Sequence, residues 1–479
     1  MLFNSFEFLI FLPIVFLLYW KVCKSGRDKN ILLLISSYVF YGWWNVRLLW
    51  LIFLVTLVAY IGGRVVGADR LSKSVRKAAL IIVIIMNIAT LVAFKYYGFF
   101  ASSFVRVLNA VGFTPDIPTL NLILPVGISF YSFQAISYVI DVYRRKISAT
   151  HDVLAFFVYI CFFPQLVAGP IERASNILPQ FIRDKRRFSY KRGVSGMQLI
   201  LWGLFKKMII ADNAAEAVNV IFTQWENIGT INLWMGAILF SFQIYGDFSG
   251  YSDIAIGSSR LFGIDLMKNF NLPYFSRDIV DFWKRWHISL TSWFRDYLYI
   301  PLGGNRHGKS KAIRNTFIVF LVSGLWHGAN FTYIAWGAYH AILHIPVKFF
   351  RKSGANDVRK TDNRLSFFSD AFWMGITFLL VMVGWVIFRA ESTTAAFSYI
   401  GAMFSGFTPA KHIVGKIPLL WCAVLIVIEW RTRFNDNPLS LPYKGIWKNA
   451  FVRWTAYVVI FLICLFFAGS PQEFIYFRF

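Results

Sequence analysis

The chain has 479 residues, of which 57% are hydrophobic, 19% aromatic and only 15% charged. Soluble domains carry about a quarter charged residues, so this composition excludes a soluble globular protein and indicates an integral membrane protein. The formal net charge of +25 is compatible with nucleic-acid binding, but the lysines and arginines gather in short loops between apolar runs. That distribution fits the positive-inside rule, and we therefore predict contact with membrane lipid and no nucleic-acid partner.

Apolar runs alternate with basic clusters along the N-terminal third of the chain. The first run, 8–20, lacks the basic leader and the small-residue cleavage site of a secretory signal and is predicted to remain as a span. If basic clusters mark the cytoplasmic side, the N-terminus lies outside, and the loop around Asp116 is external as well. Further spans are predicted over residues 30–44, 48–62, 78–99 and 120–142. Only helices and closed barrels satisfy their backbone in lipid, so we predict an all-α polytopic membrane protein.

The segment from 151 to 169 breaks this alternation, because basic residues flank it on both sides. Its C-terminal half leads into FFPQLVAGPIE, where Pro164, Gly169 and Pro170 interrupt a helix and free backbone groups that need partners. We expect a re-entrant or bent segment that lines a cytoplasm-facing cavity, with Gln165 among the lining residues. Two ordinary half-helices capped at a surface are the alternative.

Two spans are predicted next, over 194–211 and 231–244, although Lys206 and Lys207 fit poorly near the outer end of the first. The block DFSGYSDIAIG follows. Acidic groups at this depth need partners, and we expect them to accept hydrogen bonds from arginines of the next segment. The predicted structural polar network comprises Asp247, Tyr251, Asp253, Arg295 and Asp296.

Residues 277–299 mix tryptophans with basic side chains, a pattern typical of helices that lie at or beneath the membrane interface. This segment contains His287 and stops at PLGG, and the basic loop 305–314 after it is cytoplasmic by its charge. Residues 316–344 must then leave the cytoplasmic side of the membrane and return to it, which puts His327 near the point where the chain reverses. If the approach is helical, His327 lies about 16 Å in from the boundary, near the bilayer midplane.

The rest of the chain continues the alternation and brings the predicted number of spans to ten or more in one bundle. These last spans are predicted over 372–388, 419–428 and 454–468. We predict a single transmembrane domain over 1–479, with N-terminal helices over 1–146, a core that carries the motifs over 152–346 and C-terminal helices over 368–470.

Two other kinds of site are not favoured by the sequence. The G-x-S-x-G elbow of a serine hydrolase is absent. His340 and His344 have the spacing of two zinc ligands on one helix, but no glutamate lies between them, so a packed helical face is favoured over metal binding. The four cysteines are scattered and indicate neither a disulfide framework nor a metal motif. We predict no metal.

His327 is left as a histidine near mid-depth, beside small residues such as Ser323 and Gly328 that let a ligand approach. An imidazole titrates near neutral pH and can take a proton from a hydroxyl that attacks a carbonyl. His287 can then orient the substrate, share the proton transfer or polarise the carbonyl. A histidine in an apolar run is costly without a partner, which makes both residues functional candidates. Packed polar residues that tie helices together are the alternative.

Four blocks of sequence resemble the membrane-bound O-acyltransferase family. They read, in order, FFPQLVAGPIE, DFSGYSDIAIG, DFWKRWHISLTSWFRDYLYIPLGGNR and SGLWHGAN. The similarity is to the bacterial branch that exports acetyl groups for O-acetylation of alginate or peptidoglycan, and more distantly to the D-alanyl exporter of teichoic acid modification. It runs from the N-terminal MLFNSFEFLIFLP to the final spans. The resemblance implies a ring of transmembrane helices, with re-entrant and interfacial helices, around a central tunnel that meets an outer funnel at the histidine.

By this resemblance, His327 matches the family's essential histidine, and His287 matches a second position that is asparagine in many eukaryotic members. We therefore expect His327 to act as general base or as a transient acyl carrier, with His287 assisting. The further substrate or tunnel-lining candidates are Gln165, Trp283, Arg285, Trp286, Ser323, Trp326 and Asn330.

Together these features predict a membrane O-acyltransferase. It is expected to take acetyl from a cytoplasmic thioester, with acetyl-CoA as co-substrate and no permanently bound cofactor, and to pass it to a hydroxyl for O-acetylation of an exported polysaccharide or peptidoglycan. The expected acyl acceptor is a secreted or membrane-anchored acetyltransferase that resembles SGNH hydrolases, and the expected location is the bacterial cytoplasmic (inner) membrane. The alternatives are a D-alanyl-type exporter of the same family and a polytopic transporter or channel.

Overall fold

The computed structural model describes residues 1–113, 125–167, 169–183, 186–350, 364–410, 412–441 and 445–475. The predicted external loop around Asp116 lies outside these ranges. Within them the chain forms helices, turns and loops and contains no strand, which confirms the all-α class.

Twenty α-helices occur in the described ranges. They are α1 (Phe6–Leu17), α2 (Gly26–Gly42), α3 (Leu49–Gly67), α4 (Lys73–Leu91), α5 (Tyr97–Ala110), α6 (Ile128–Tyr143), α7 (Val153–Cys161), α8 (Phe163–Leu166), α9 (Ala174–Ile182), α10 (Tyr190–Leu204), α11 (Asn213–Thr223), α12 (Thr230–Leu261), α13 (Ile279–Arg285), α14 (Ile288–Phe294), α15 (Lys309–His327), α16 (Phe331–Phe350), α17 (Arg364–Arg389), α18 (Thr393–Phe404), α19 (Lys416–Arg431) and α20 (Ala450–Phe466). Helices α1, α4, α10 and α14 each continue into a π-helical turn, which is wider than an α-helical turn. These turns are Leu18–Val22, Val92–Tyr96, Phe205–Asp212 and Arg295–Tyr299.

The helices group into two compact units. The first unit comprises Met1–Gly196 and Ser258–Met267, and the second comprises Met197–Gly257 and Lys268–Phe479. Both candidate catalytic histidines belong to the second unit. The single domain predicted over 1–479 stays a prediction.

The bend predicted in the first unit is confirmed at Phe162, where the backbone leaves the helical conformation between α7 and α8. Pro164 lies in the first turn of α8, which has only four residues. Gln165 donates from its side-chain amide to the carbonyl of Tyr159 at 2.6 Å and so ties the bend together. Every residue from 155 to 167 is buried, so the bend belongs to the interior of this unit rather than to its surface. Its re-entrant placement in a membrane stays a prediction.

Four described helical stretches are long and apolar enough to cross a membrane. They are Val46–Gly67, Lys73–Ala110, Tyr190–Thr223 and Phe368–Arg389. The apolar helix α20 is shorter. Each of the four contains a predicted span, over 48–62, 78–99, 194–211 and 372–388 respectively, whereas ten or more spans stays a prediction.

In the second unit, α15 and α16 form a close antiparallel pair. A Cβ added at Gly324 would lie 2.2 Å from the carbonyl oxygen of Tyr333, and one added at Gly337 would lie 2.4 Å from that of Phe320. The two backbones therefore touch at both levels. Because α15 ends at His327 and α16 begins four residues later, the predicted reversal at His327 is confirmed.

We expect Gly324→Ala to lower the free energy of unfolding by about 1–3 kcal/mol, because the added methyl forces the two backbones apart. Gly375→Ala on α17 is the matched control, since nothing lies within 4 Å of its added Cβ. A glycine-to-alanine change in such an open helical site is neutral or stabilising. Thermal unfolding of the purified variants in detergent measures both. Equal melting temperatures for the two variants would contradict the close packing of α15 against α16.

Candidate functional site

His327 is the last residue of α15 and is 4% exposed. Aromatic rings surround its imidazole, with centroid distances of 4.9 Å to Trp326, 5.0 Å to Trp336 and 5.3 Å to Phe388. Immediately after it, Gly328 takes an extended conformation, and a Cβ there would lie 2.3 Å from the ring of Tyr333. The absence of a side chain at position 328 therefore lets the chain turn sharply beside the histidine.

His287 lies between α13 and α14 and is 1% exposed. Its backbone has φ 43° and ψ 54°, the left-handed region that a non-glycine residue rarely adopts. Such a conformation costs about 1–3 kcal/mol and persists only where the surroundings over-determine it. One constraint comes from the next residue, Ile288, whose amide donates to the carbonyl of Asn269 at 2.9 Å.

The side chain of Asn269 determines which nitrogen of His287 carries the proton. The amide oxygen Oδ1 can only accept, so Nδ1–H of His287 donates to it at 3.0 Å and Nε2 carries the lone pair. The same oxygen accepts from the hydroxyl of Ser289 at 2.9 Å, while Nδ2 of Asn269 donates to Ser252 Oγ at 3.3 Å. His287 lies outside the four candidate spans, and burial lowers its pKa to about 3. The ring is therefore neutral at physiological pH.

Trp326 lies next to both histidines. Its ring centroid is 6.0 Å from that of His287 and 4.9 Å from that of His327. The two residues predicted as catalytic, far apart in sequence, thus line one buried aromatic site within the second unit.

Three more of the predicted lining residues lie close to this site. Trp283 and Trp286, at the end of α13 and just after it, are buried, with ring centroids 5.6 Å from Trp336 and 4.9 Å from Trp385 respectively. Ser323 is buried one helical turn before the end of α15. Their placement is compatible with contact to a substrate, which stays a prediction.

The remaining candidates make other contacts. Arg285 pairs with Asp281 one turn earlier on α13 at 3.0 Å. Asn330 accepts the amide hydrogen of Thr332 at 3.1 Å at the start of α16. Gln165 belongs to the first unit, where it ties the bend between α7 and α8. A role of these three residues in lining the substrate path stays a prediction.

The acidic residues of α12 pair with lysines. Lys207 Nζ lies 2.8 Å from a carboxylate oxygen of Asp212 and 2.8 Å from one of Asp247, and Lys206 Nζ lies 2.7 Å from Asp253. The expectation of arginine partners from the next segment is therefore wrong. The two lysines that fitted poorly as charges near a membrane surface are almost fully buried and supply the counter-charges instead.

The predicted polar network separates into a buried and an exposed part. Tyr251 belongs to the buried part, because the ammonium of Lys207 lies 5.6 Å from its ring centroid. Arg295 pairs instead with its neighbour Asp296 at 2.8 Å, and its side chain is 63% exposed. The exposed pair of Arg295 and Asp296 therefore contributes little to the free energy of unfolding, because exposed ion pairs are screened by solvent.

Sequence reasoning missed Asn269 and gave no role to His340. Asn269 is a lone asparagine 18 residues before His287, and no motif marks it. His340 is fully buried, with ring centroids 5.1 Å from Trp283 and 5.0 Å from Trp336, and neither of its ring nitrogens has a hydrogen-bond partner in the described structure. Buried polar atoms are nearly always paired, so these two nitrogens are candidates to bind a polar group or water.

A glycine-rich loop before α15 was also missed. Residues 303–310 read GGNRHGKS, which has the G-x-x-x-x-G-K-S spacing of phosphate-binding loops. Gly303, Gly304 and Gly308 all have positive φ, and α15 begins at Lys309. The residues before the loop form turns rather than a strand, so the context of a nucleotide-binding P-loop is absent. Within the described residues, no group of three or more histidine, cysteine or acidic side chains can hold a metal ion.

Comparison with known proteins gives a consistent result. Residues 141–378, which include both histidines, match the model of the MBOAT, membrane-bound O-acyltransferase family. The probable alginate O-acetylase AlgI of Pseudomonas aeruginosa is 42% identical over 406 residues, which cover 85% of this chain and 75% of the relative. The peptidoglycan O-acetyltransferase of Helicobacter pylori is 35% identical over 496 aligned positions, covering 97% and 89%. The teichoic acid D-alanyltransferase of Bacillus subtilis is 31% identical over 294 residues, covering 58% and 71%.

The variant Lys207→Met tests the buried charge cluster. It leaves Asp212 and Asp247 without their cation, and removal of one partner from a buried pair costs about 3–5 kcal/mol. Arg295→Met is the matched control, because it breaks an exposed pair that contributes about 0–1 kcal/mol. We expect a much larger fall in melting temperature for Lys207→Met, measured in detergent by intrinsic fluorescence. Similar melting temperatures for the two variants would show that Lys207 is not the counter-charge of this cluster.

Proposed function

The chain belongs to the membrane-bound O-acyltransferase family, and we propose that this O-acyltransferase takes an acetyl group from cytoplasmic acetyl-CoA and passes it across the bacterial inner membrane to a hydroxyl acceptor. Its relatives are named for O-acetylation of alginate and of peptidoglycan and for D-alanylation of teichoic acid, so its acyl transfer serves a polysaccharide. The proposal depends above all on one observation, that the buried imidazoles of His287 and His327 both lie next to the ring of Trp326.

In the proposed reaction His327 takes the proton of the acceptor hydroxyl while the hydroxyl oxygen attacks the thioester carbonyl. A carbon–oxygen bond forms, the carbon–sulfur bond breaks, and the imidazolium returns its proton to the leaving thiolate. The C-terminal end of α15, where His327 lies, favours the positive charge that the ring carries in between. A transient acyl group on His327 would divide the same transfer into two steps.

The hydrogen bond to Asn269 limits what His287 can do. With Nδ1–H donated to Asn269 and the ring neutral, Nε2 can accept a hydrogen but cannot donate one. Polarising the thioester carbonyl requires a donor, so the geometry does not favour that role. Because the single hydrogen of the acceptor hydroxyl goes to His327, the geometry supports a role in which Nε2 of His287 accepts a hydrogen bond from another N–H or O–H group of the substrates and so orients that substrate.

A stripe of four side chains on α16 supports a path for the donor. The stripe consists of Trp336, His340, His344 and Lys348, which recur every fourth residue on one face of the helix. It begins 5.0 Å from the ring of His327 and extends about 18 Å along the helix. At the far end, the ammonium of Lys348 lies 2.9 Å from the hydroxyl of Tyr299.

The unpartnered polar atoms of the stripe suit the arm of coenzyme A. Both ring nitrogens of His340 and the indole nitrogen of Trp336 are buried and have no hydrogen-bond partner among the residues that the structure describes. An imidazole and an indole N–H together offer one acceptor and two donors, which match the amide groups of the pantetheine arm.

The basic glycine-rich loop, residues 303–310, is the proposed binding site for the phosphate groups of the donor. Arg306, Lys309 and Lys311 lie in or directly after it. The helix α15 begins at Lys309, and helix N-termini favour phosphates because their first backbone N–H groups point along the helix axis.

The proposed acceptor is a hydroxyl on a secreted or membrane-anchored partner acetyltransferase of the SGNH-hydrolase type, which then modifies the polymer. The 31% identity to a teichoic acid D-alanyltransferase favours D-alanyl transfer as the second candidate. The transporter alternative raised by the sequence is not retained, because the chain belongs to a family of enzymes.

We expect His327→Ala to lower the rate of acetyl transfer by about a hundredfold or more, because the general base is lost. The measurement is transfer of labelled acetyl from acetyl-CoA in proteoliposomes that contain the co-purified acceptor, with a D-alanyl thioester as the competing donor. His412→Ala is the matched control, since His412 is an exposed histidine of the same unit. A correctly inserted His327→Ala protein with wild-type activity would overturn the assignment, and transfer of D-alanine alone would favour the second candidate.

We expect His340→Leu to raise the KM for acetyl-CoA by about tenfold with a smaller change in kcat, because one hydrogen bond to the donor arm is lost. Tyr339→Phe is the control on the same turn, since the Tyr339 hydroxyl donates to the carbonyl of Leu380 on α17. An unchanged KM in His340→Leu would show that the donor arm does not contact this ring.

A further inference from the structure

The C-terminal segment after α20, residues 468–475, lies against the unit that contains both histidines. Chain ends usually fray unless contacts tie them down. Here Phe474 and Ile475 are 0% and 5% exposed. Gly469 approaches the first residue of α11 so closely that a Cβ at position 469 would lie 2.7 Å from the amide nitrogen of Asn213. The last described residues of the segment, Phe474 and Ile475, are therefore packed in the interior, although positions 468, 470, 471 and 473 are exposed.

Four hydrogen bonds anchor this segment. They join Gly469 N to Met208 O at 3.3 Å, Ser470 N to Glu216 Oε1 at 3.0 Å, Lys207 Nζ to Gln472 O at 2.9 Å and Ile475 N to Asp247 Oδ2 at 2.6 Å. Three of the four involve an ionised side chain, and such hydrogen bonds are stronger than neutral ones. The same buried Lys207 and Asp247 that pair with each other thus also bind Gln472 and Ile475 of this segment.

A column of rings leads from this anchored segment to His287. The ring of Phe474 lies 4.5 Å from Tyr251 and 5.8 Å from Phe248, measured between centroids. Phe248 in turn meets the imidazole of His287 edge to face, at 4.6 Å and 89°. Phe270 touches both Phe248 and His287, at 5.0 Å and 6.5 Å. Movement of Phe474 therefore changes the support behind the imidazole.

We infer that the C-terminal segment is part of the active site and that Phe474 is a positioning residue for His287, acting through Phe248. The left-handed backbone of His287 needs a surrounding that over-determines it, and the ring column supplies one such constraint beside the hydrogen bonds of Asn269. The inference rests on the proposed function only in that His287 serves the transfer.

The test uses Phe474→Ala in the full-length protein. This change removes the ring but leaves the backbone anchors at Gln472 and Ile475, so the segment stays attached. Phe474→Leu keeps part of the apolar contact and should restore part of any lost activity. Phe466→Ala is the matched control, since that ring at the end of α20 is 77% exposed.

Two measurements decide the inference. We expect Phe474→Ala to lower kcat by about tenfold while the KM for the donor changes by less than about twofold, because His287 is displaced and the donor path is not. We also expect faster hydrogen–deuterium exchange at residues 288 and 289, whose amides donate to Asn269, relative to Phe466→Ala.

Unchanged exchange at residues 288 and 289 would overturn the inference, whatever the donor. A kcat of Phe474→Ala within about twofold of wild type would also overturn it. So would a fall in kcat that is proportional to the loss of folded protein and is equally large in Phe474→Leu. If the wild-type protein transfers no acetyl from acetyl-CoA, the proposed function fails. The exchange measurement alone then decides whether Phe474 positions His287.

Discussion

The buried ammonium of Lys207 is the interaction on which the arrangement of the second unit depends. A charge in a low-dielectric interior is tolerated only when paired and hydrogen-bonded. Lys207 satisfies this condition with carboxylates from its own helical turn, Asp212, and from α12, Asp247, and with the carbonyl of Gln472 near the chain end. Three separate stretches of sequence must therefore meet at one point. The contact is tight because Gly250 of α12 packs on the backbone of the lysine-bearing helix, where a Cβ would lie 2.8 Å from the carbonyl of Gly203.

Contacts made by α12 connect this buried charge with the candidate catalytic site. Asp247 pairs with Lys207, its neighbour Phe248 packs against His287, and Ser252 accepts a hydrogen from Asn269. The block DFSGYSDIAIG therefore packs against the second histidine, and its acidic residues pair with buried lysines. His327 depends on a different constraint, the touching backbones of α15 and α16, which place the end of α15 beside Trp336.

The sequence predicted the features that follow from local pattern. The all-α class, the bend at Phe162 and the reversal at His327 all depend on apolar runs and on helix-breaking residues, and the structure contains each of them. Prediction from sequence failed where the role of a residue depends on partners that are distant in sequence. Lys206 and Lys207 fitted poorly near the outer end of a predicted span because charge alone does not reveal a carboxylate some 40 residues later in sequence.

Asn269 could not be predicted for the same reason, and its case is the more instructive one for the site. A lone asparagine in a loop has no periodicity or motif, and its importance follows only from the tertiary structure, where it meets Nδ1 of His287. Likewise, no residue pattern shows that His287 has a positive φ. Sequence therefore identified both histidines as candidates but could not distinguish their roles.

Their surroundings make the two histidines chemically unequal. His327 lies at the C-terminal end of α15, where the helix carbonyls favour a positive charge, whereas His287 precedes the first residue of α14, where the backbone N–H groups disfavour one. Burial acts in the same direction as the helix end at His287 and keeps that ring neutral. When environments push two titratable groups apart in this way, the acid and base assignments usually follow. In the proposed reaction, the proton taken from the acceptor hydroxyl is therefore better held on His327, and the role proposed for His287 is to remain neutral and fixed in orientation.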